Sequence, residues 1–173
     1  MPPTPDELAD IQKRLNLISF AVSRLTLAVQ NFLRTKKRRD LLYGQARLFL
    51  GRDASPLDLV NDDLGCAESV SCIIAKVTQF PIITGTSSLN AYLARDPRFQ
   101  NRNDDFAPGT VIVSPTGSGQ AKIRGHVGIF GENETIMSAS SIDGLWKQNF
   151  TLQTWRRYYE EAGGLETFYY TLI

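Results

Sequence analysis

An α+β domain carried behind a long N-terminal helical extension is the fold class this 173-residue chain predicts. Three observations carry that prediction. Apolar residues recur at spacings of 3 and 4 from Leu8 to Phe32, which is the period of a helix. Beyond residue 53 the pattern changes to short helical stretches mixed with strand-like runs. The charge divides at the same place: residues 1–52 carry 10 Lys and Arg against 4 Asp and Glu, and residues 53–173 carry 9 against 14. The chain is therefore read as two units, an extension over 1–52 and a globular domain over 53–173. Hydrophobic residues make up 42%, enough for a packed core.

The extension predicts one helix over residues 6–39. Thr4 or Asp6 can cap it, with Pro5 near its first position. Leu8, Ile11, Leu15, Ile18, Val22, Leu25, Val29 and Phe32 form an a/d heptad pattern over more than three repeats. Leu17, Phe20, Leu27 and Leu33 widen the stripe beyond a dimeric seam. Such a helix can pack on its own domain, self-associate, or lie on a membrane surface. Lys36, Lys37, Arg38 and Arg39 cluster at one end, where they read as a solvated helix end suited to the negative helix terminus. Four charges without interleaved aromatics do not predict a nucleic-acid surface. Residues 40–50 continue as helix, and Gly51 can stop it.

Within the domain, residues 64–78 predict a helix with Cys66, Val70, Ile73 and Val77 on one face. Residues 87–96 predict a second, shorter helix, and 95–108 a polar loop. A strand is expected over 110–114, a Gly/Ser-rich loop over 115–124, and a hairpin pairing 126–130 with 135–139. A short strand over 146–150, a helix over 154–162 ended by Gly163-Gly164, and a closing strand over 167–172 complete the chain.

Other classes fit less well. The most apolar segment, residues 15–33, contains Asn16, Arg24, Gln30 and Asn31. A central Arg opposes membrane insertion by ~2.5–3.5 kcal/mol, so no transmembrane span is expected. Met-Pro-Pro-Thr-Pro-Asp-Glu lacks the basic start of a secretory signal. Cys66 and Cys72 lie about 9 Å apart along a helix, beyond the reach of a disulfide. No zinc spacing is present, and no metal or cofactor is expected.

The chemistry concentrates in two places. The single histidine, His126, opens the strand-like run Gly-His-Val-Gly-Ile-Phe (Gly125–Phe130). Cys66 follows Gly65 where a turn opens a helix. A helix N-terminus lowers a thiol pKa, and the backbone N–H of Cys66 is free there to bind an oxyanion. Gly65 lets a substrate approach closely, and Ala67 and Arg124 are further groove candidates. Cys72, in mid-helix, reads as a structural cysteine. A third group should orient the imidazole. If Gly131–Asn133 is the turn, pairs run 130/134, 128/136 and 126/138, so Ser138 faces His126. A one-residue longer turn brings Ala139 there instead, with Ser140 and Asp143 as fallback candidates. The bare Gly128 leaves room beside the imidazole. Glu132 reads as a solvent-facing turn charge, and Glu68 points elsewhere on its helix.

These motifs together carry a family resemblance. Leu-Gly-Cys-Ala-Glu-Ser-Val, then Pro-Gly-Thr-Val-Ile (Pro108–Ile112), then Gly-His-Val-Gly-Ile-Phe resemble the papain-like NlpC/P60 and CHAP cysteine peptidases and amidases. The resemblance covers roughly residues 58–173 and points to small phage- or prophage-encoded members. It implies a Cys-bearing helix packed on a small antiparallel sheet bearing His, with Cys66 as nucleophile and His126 as general base. Members usually carry His, Asn, Gln or Glu in the third place, where this chain offers Ser138. The implied function is hydrolysis of an amide bond in peptidoglycan, at the stem peptide or its sugar linkage, by an enzyme held in the cytoplasm until lysis or carried in a virion. The rival expectation is a papain-like domain that only binds, in a virion or wall-associated assembly built through the heptad helix. A papain-like transferase or deamidase would use the same dyad.

Overall fold

The computed structural model describes residues 3–55, 65–118 and 123–173. One helix, α1, runs unbroken over Pro5–Leu48. Thr4 is its N-cap, and a reciprocal capping box with Glu7 satisfies two backbone donors that would otherwise lack partners. Gly51, in the left-handed region at φ 76, turns the chain after it.

α1 changes character along its length. Every residue from 3 to 34 is exposed, whereas Leu42 and Ala46 are fully buried in the core. Within the basic run Lys36 and Lys37 are exposed, as a solvated helix end requires, whereas Arg38 and Arg39 clamp the helix to the domain. Arg39 Nη1 donates to both carboxylate oxygens of Asp105 at 3.1 Å, and Thr171 Oγ1 donates to the same carboxylate at 2.7 Å. Arg38 donates to the backbone oxygen of Ile173. Gly109, at φ 89, lies so close to the helix that a Cβ there would sit 2.2 Å from the Arg39 carbonyl oxygen.

The domain that follows is α+β. Helices α2 (Cys66–Ala75) and α3 (Thr86–Arg95) precede an antiparallel six-stranded sheet. Its strands are β1 (Phe99–Asn101), β2 (Val111–Ser114), β3 (His126–Phe130), β4 (Thr135–Ala139), β5 (Trp146–Thr151) and β6 (Phe168–Leu172), in the order β1-β6-β2-β3-β4-β5. Between β5 and β6, a helical turn α4 (Leu152–Trp155) runs directly into a π-helical segment, Arg156–Ala162.

Strand alternation splits the interior in two. Val111, Val113, Val127, Ile129, Met137 and Ala139 face α2 and share a core with Val70, Ile73 and Ile74. Ile112, Phe130, Ile136 and Tyr169 face the other way, onto Leu152, Trp155 and Tyr159. α2 is buried on nearly all sides, which suits a short helix covering the middle of a sheet.

Four expectations are corrected. The segment read as polar loop over 95–108 contains β1, a three-residue edge strand paired to β6 and too short to leave a period in the sequence. The helix expected over 154–162 begins at Leu152 and is π-wound from Arg156. The helix expected over 64–78 runs from Cys66 to Ala75, with residue 64 outside the described residues, as are 119–122 of the Gly/Ser-rich loop. The hairpin register is also different: Phe130 pairs with Ile136 and Ile129 with Met137. Asn133 and Glu134 both take positive φ, at 53 and 56, so the turn spans more residues than Gly131–Asn133.

Candidate active site at the end of strand β3

α2 places Cys66 at its first position. Gly65 is its N-cap and has no side chain to satisfy the first-turn N–H groups. The thiol lies near this first turn: backbone groups of Cys66 and Ala67, together with Val127 from β3, act on it and favour its charged form. Cys66 therefore lies beside the peptide that joins His126 to Val127. Burial raises the pKa of the Tyr159 phenol, and a thiolate at Cys66 would raise it further.

His126 starts β3 on the opposite side chain alternation from Val127, so its ring lies on the aromatic face. It stacks on Trp155 with centroids 5.5 Å apart and on Tyr159 at 5.6 Å, with Phe150 edge-on at 5.8 Å. Trp155 is itself fixed: its Nε1–H donates to Ser114 Oγ at 2.9 Å. Thr151 and Thr154 form the capping box that starts this turn.

The ring's hydrogen bond runs from Nε2 to Ser138 Oγ at 2.9 Å. Ser138 Oγ in turn donates to Asn149 Oδ1 at 2.7 Å. A hydroxyl has one proton. Ser138 gives it to Asn149, so Ser138 must accept from the ring, and the imidazole carries its proton on Nε2. Nδ1 is then the unprotonated nitrogen, the one available as a base. The relay His126–Ser138–Asn149 sets the tautomer as well as the ring orientation.

Burial dominates the electrostatics. It pushes the Cys66 thiol up to about 11, against the three N–H groups that lower it. It pushes His126 down to about 4. The helix start does act on the thiol in the expected direction, but desolvation is larger and reverses the net shift. No hydrogen bond joins the thiol to the ring in this arrangement. At neutral pH both groups are uncharged; the half-buried His126 ring stacks on Tyr159 and Trp155, which are 6% and 0% exposed and form its aromatic cover.

The expected site residues can now be placed. Cys66, His126 and Ser138 come to one end of the sheet. Ser138 arrives by another route than expected: it stands opposite the Gly128 position and reaches the ring diagonally. Gly128 leaves no free space, because a Cβ there would lie 2.6 Å from Ile136 Cγ2. Gly65 and Ala67 are buried, and Ala67 offers only its N–H. Arg124 is exposed two residues before His126. Ser140 and Asp143 belong to the turn after β4, where Asp143 pairs with Lys147. Cys72 is a free, buried cysteine, and Cys66 is likewise unbridged. Among the described residues, no three His, Cys, Asp or Glu side chains gather where they could hold a metal ion, and no helix is long and apolar enough to cross a membrane.

Sequence reasoning missed Asn149, Phe150, Trp155 and Tyr159. The aromatic cluster within residues 150–159 was the available signal for the last three. Asn149 had none, because its position depends on the irregular pairing of β4 with β5 at Ile136/Met137.

No protein-family model, curated protein or solved structure matches this chain.

Proposed function

We propose that the domain is papain-like, of the NlpC/P60 or CHAP type, and that the chain is a cysteine hydrolase of an amide bond. One observation carries the reading: a helix-start cysteine lies beside the strand residue bearing the only histidine, whose Nε2 is held by a serine–asparagine relay. In the reaction, Nδ1 of His126 takes the thiol proton as Sγ attacks the carbonyl carbon. The C–N bond breaks, the amine leaves with that proton, and a thioester forms on Cys66. Water, deprotonated by the same nitrogen, releases the acid and restores the thiol. The backbone N–H groups of Cys66, Ala67 and Val127 lie near the thiol and are the candidates to hold the developing oxyanion.

The substrate class, a peptide amide of the bacterial cell wall, comes from the resemblance of Pro108–Ile112 and Gly125–Phe130 to such enzymes. A neutral thiol beside a neutral imidazole is a resting pair, so the substrate or a partner must part the aromatic cover before attack. A second reading has its own support. The cover, the pKa shifts toward neutrality and the absent thiol–imidazole bond equally suit a domain that binds without cleaving.

Digestion of purified cell walls, followed by mass spectrometry of released peptides, separates the two. The hydrolase reading expects release by the native chain and by Cys72→Ala, and none by Cys66→Ala or His126→Ala. No release by the native chain, nor by a Tyr159→Ala variant that opens the cover, sinks the hydrolase and leaves the binding module.

A further inference from the structure

The exposed part of α1 has more apolar surface than a monomer keeps. Twelve large hydrophobic side chains between Leu8 and Leu33 are each 49–67% exposed. Together they offer on the order of 1,000 Å² per chain, above the few hundred that soluble monomers expose and enough for a standard interface. Between Leu15 and Leu33 the only charge is Arg24.

The arrangement of these residues states what covers them. Heptad position a holds Leu8 and Leu15, then Val22 and Val29; position d holds Ile11 and Ile18, then Leu25 and Phe32. Leu at a with Ile at d, the pattern of the first half, favours three or four strands, while Val22 at a with Leu25 at d is a two-strand pattern, so the width of the apolar arc decides the number. A dimer would need only that a/d seam. Here the apolar arc continues through Ala21 and Ala28 at g to Leu17 at c and to Phe20 and Leu27 at f. Between Leu15 and Phe32 the polar residues are those at b and e, with Arg24 and Asn31 at c, and bonds within the helix satisfy several of them: Gln12 donates to Asn16 at 3.0 Å, Ser23 to the Ser19 carbonyl at 2.9 Å and Thr26 to the Val22 carbonyl at 2.9 Å. A helix apolar over more than half its circumference has room for two neighbours, one on each flank.

Charge sets the direction. Asp6, Glu7 and Asp10 outnumber Lys13 and Arg14 at the free end, and Arg34, Lys36 and Lys37 lie at the end near the domain. Antiparallel neighbours bring the acidic ends onto the basic ends. They also send the globular domains to opposite ends, whereas parallel packing would crowd four domains just past Phe32. We propose that residues 5–34 of four copies of this chain form an antiparallel four-helix bundle, about 45 Å long at 1.5 Å per residue.

This inference is independent of the hydrolase reading. Sedimentation or light scattering of the full chain should give four times its 19.3 kDa mass. Phe20→Asp with Leu27→Asp, on the outer flank, should reduce the mass to two chains. Val22→Asp with Leu25→Asp, in the seam, should reduce it to one. Ser23→Asp, on the polar arc, should leave four. Small-angle scattering should show domains at both ends of a rod, and near-ultraviolet circular dichroism should show the domain intact in every variant. A native monomer or dimer, a mass indifferent to the Val22/Leu25 pair, or domains clustered at one end would overturn the proposal. So would a monomeric chain that binds anionic lipid vesicles through α1.

Discussion

The two faces of the sheet are built from different materials. The face under α2 is mostly aliphatic, filled by Val, Ile, Leu and Met side chains with Trp146 and Tyr170 among them. The other face is aromatic, and its Trp155, Tyr159 and Phe150 enclose polar groups: His126, Ser114 and Ser138. Trp and Tyr bring large apolar area together with a donor of their own, which lets the second face enclose polar groups. Cys66 comes from the first face and His126 from the second. They approach only where the sheet ends, so the candidate chemistry depends on both faces being assembled.

The sharpest way to break that comparison is at Trp155. It is fully buried, stacks on His126 and donates to Ser114. Trp155→Ala should cost about 3–5 kcal/mol in chemical denaturation. It should also speed alkylation of Cys66 at neutral pH, since it removes part of the cover. Ile74→Val, in the aliphatic core, should cost about 0.5–1.5 kcal/mol and leave the labelling rate unchanged. Equal effects of the two on labelling would mean that the aromatic face does not shield the thiol.

The next effect in size is a pH dependence. The folded chain keeps His126 neutral down to about 4, while the unfolded chain binds that proton near 6.5. Between those values the unfolded state takes up the proton, so stability falls as pH drops from 6.5 to 4. The slope is at most about 1.4 kcal/mol per pH unit, roughly 3 kcal/mol in all. His126→Gln should remove most of the slope in this window. The native chain and the variant falling in parallel would show that His126 is not held neutral. The thiol tests the same enclosure from the other side: with its pKa raised to about 11, Cys66 should alkylate slowly up to pH 9 and faster in Tyr159→Ala.

Much of this was legible in the sequence because it is local. A glycine before a cysteine at a helix start, and a histidine flanked by glycines at a strand start, are marked by residue type and spacing alone. The helix α1 was legible for the same reason. What failed was whatever required two distant segments to be aligned. The β3–β4 register turned on Glu134 adopting positive φ, which its residue type does not announce. The net pKa of Cys66 turned on burial against strand β3, about sixty residues further along the chain, rather than on its own helix. Arg38 and Arg39 read as part of a solvated helix end because their acceptors, the backbone of Ile173 and Asp105, lie far along the sequence.

Asn149 gives the smallest predicted change in stability and the most specific test of the site. Asn149→Ala removes the acceptor of the Ser138 hydroxyl, at a cost of about 1 kcal/mol. The freed hydroxyl can then donate to Nε2, which drives the ring proton to Nδ1, the nitrogen that must stay open to receive the thiol proton. The chain has one histidine, so nitrogen–proton correlation spectra of the ring contain one set of signals. The native protein should show the Nε2–H tautomer, and Asn149→Ala should shift the population toward Nδ1–H. Cell-wall hydrolysis should fall in step with that shift rather than with the small loss of stability. An unchanged tautomer in Asn149→Ala would reduce Asn149 to a surface hydrogen bond and leave Ser138 as the last member of the relay.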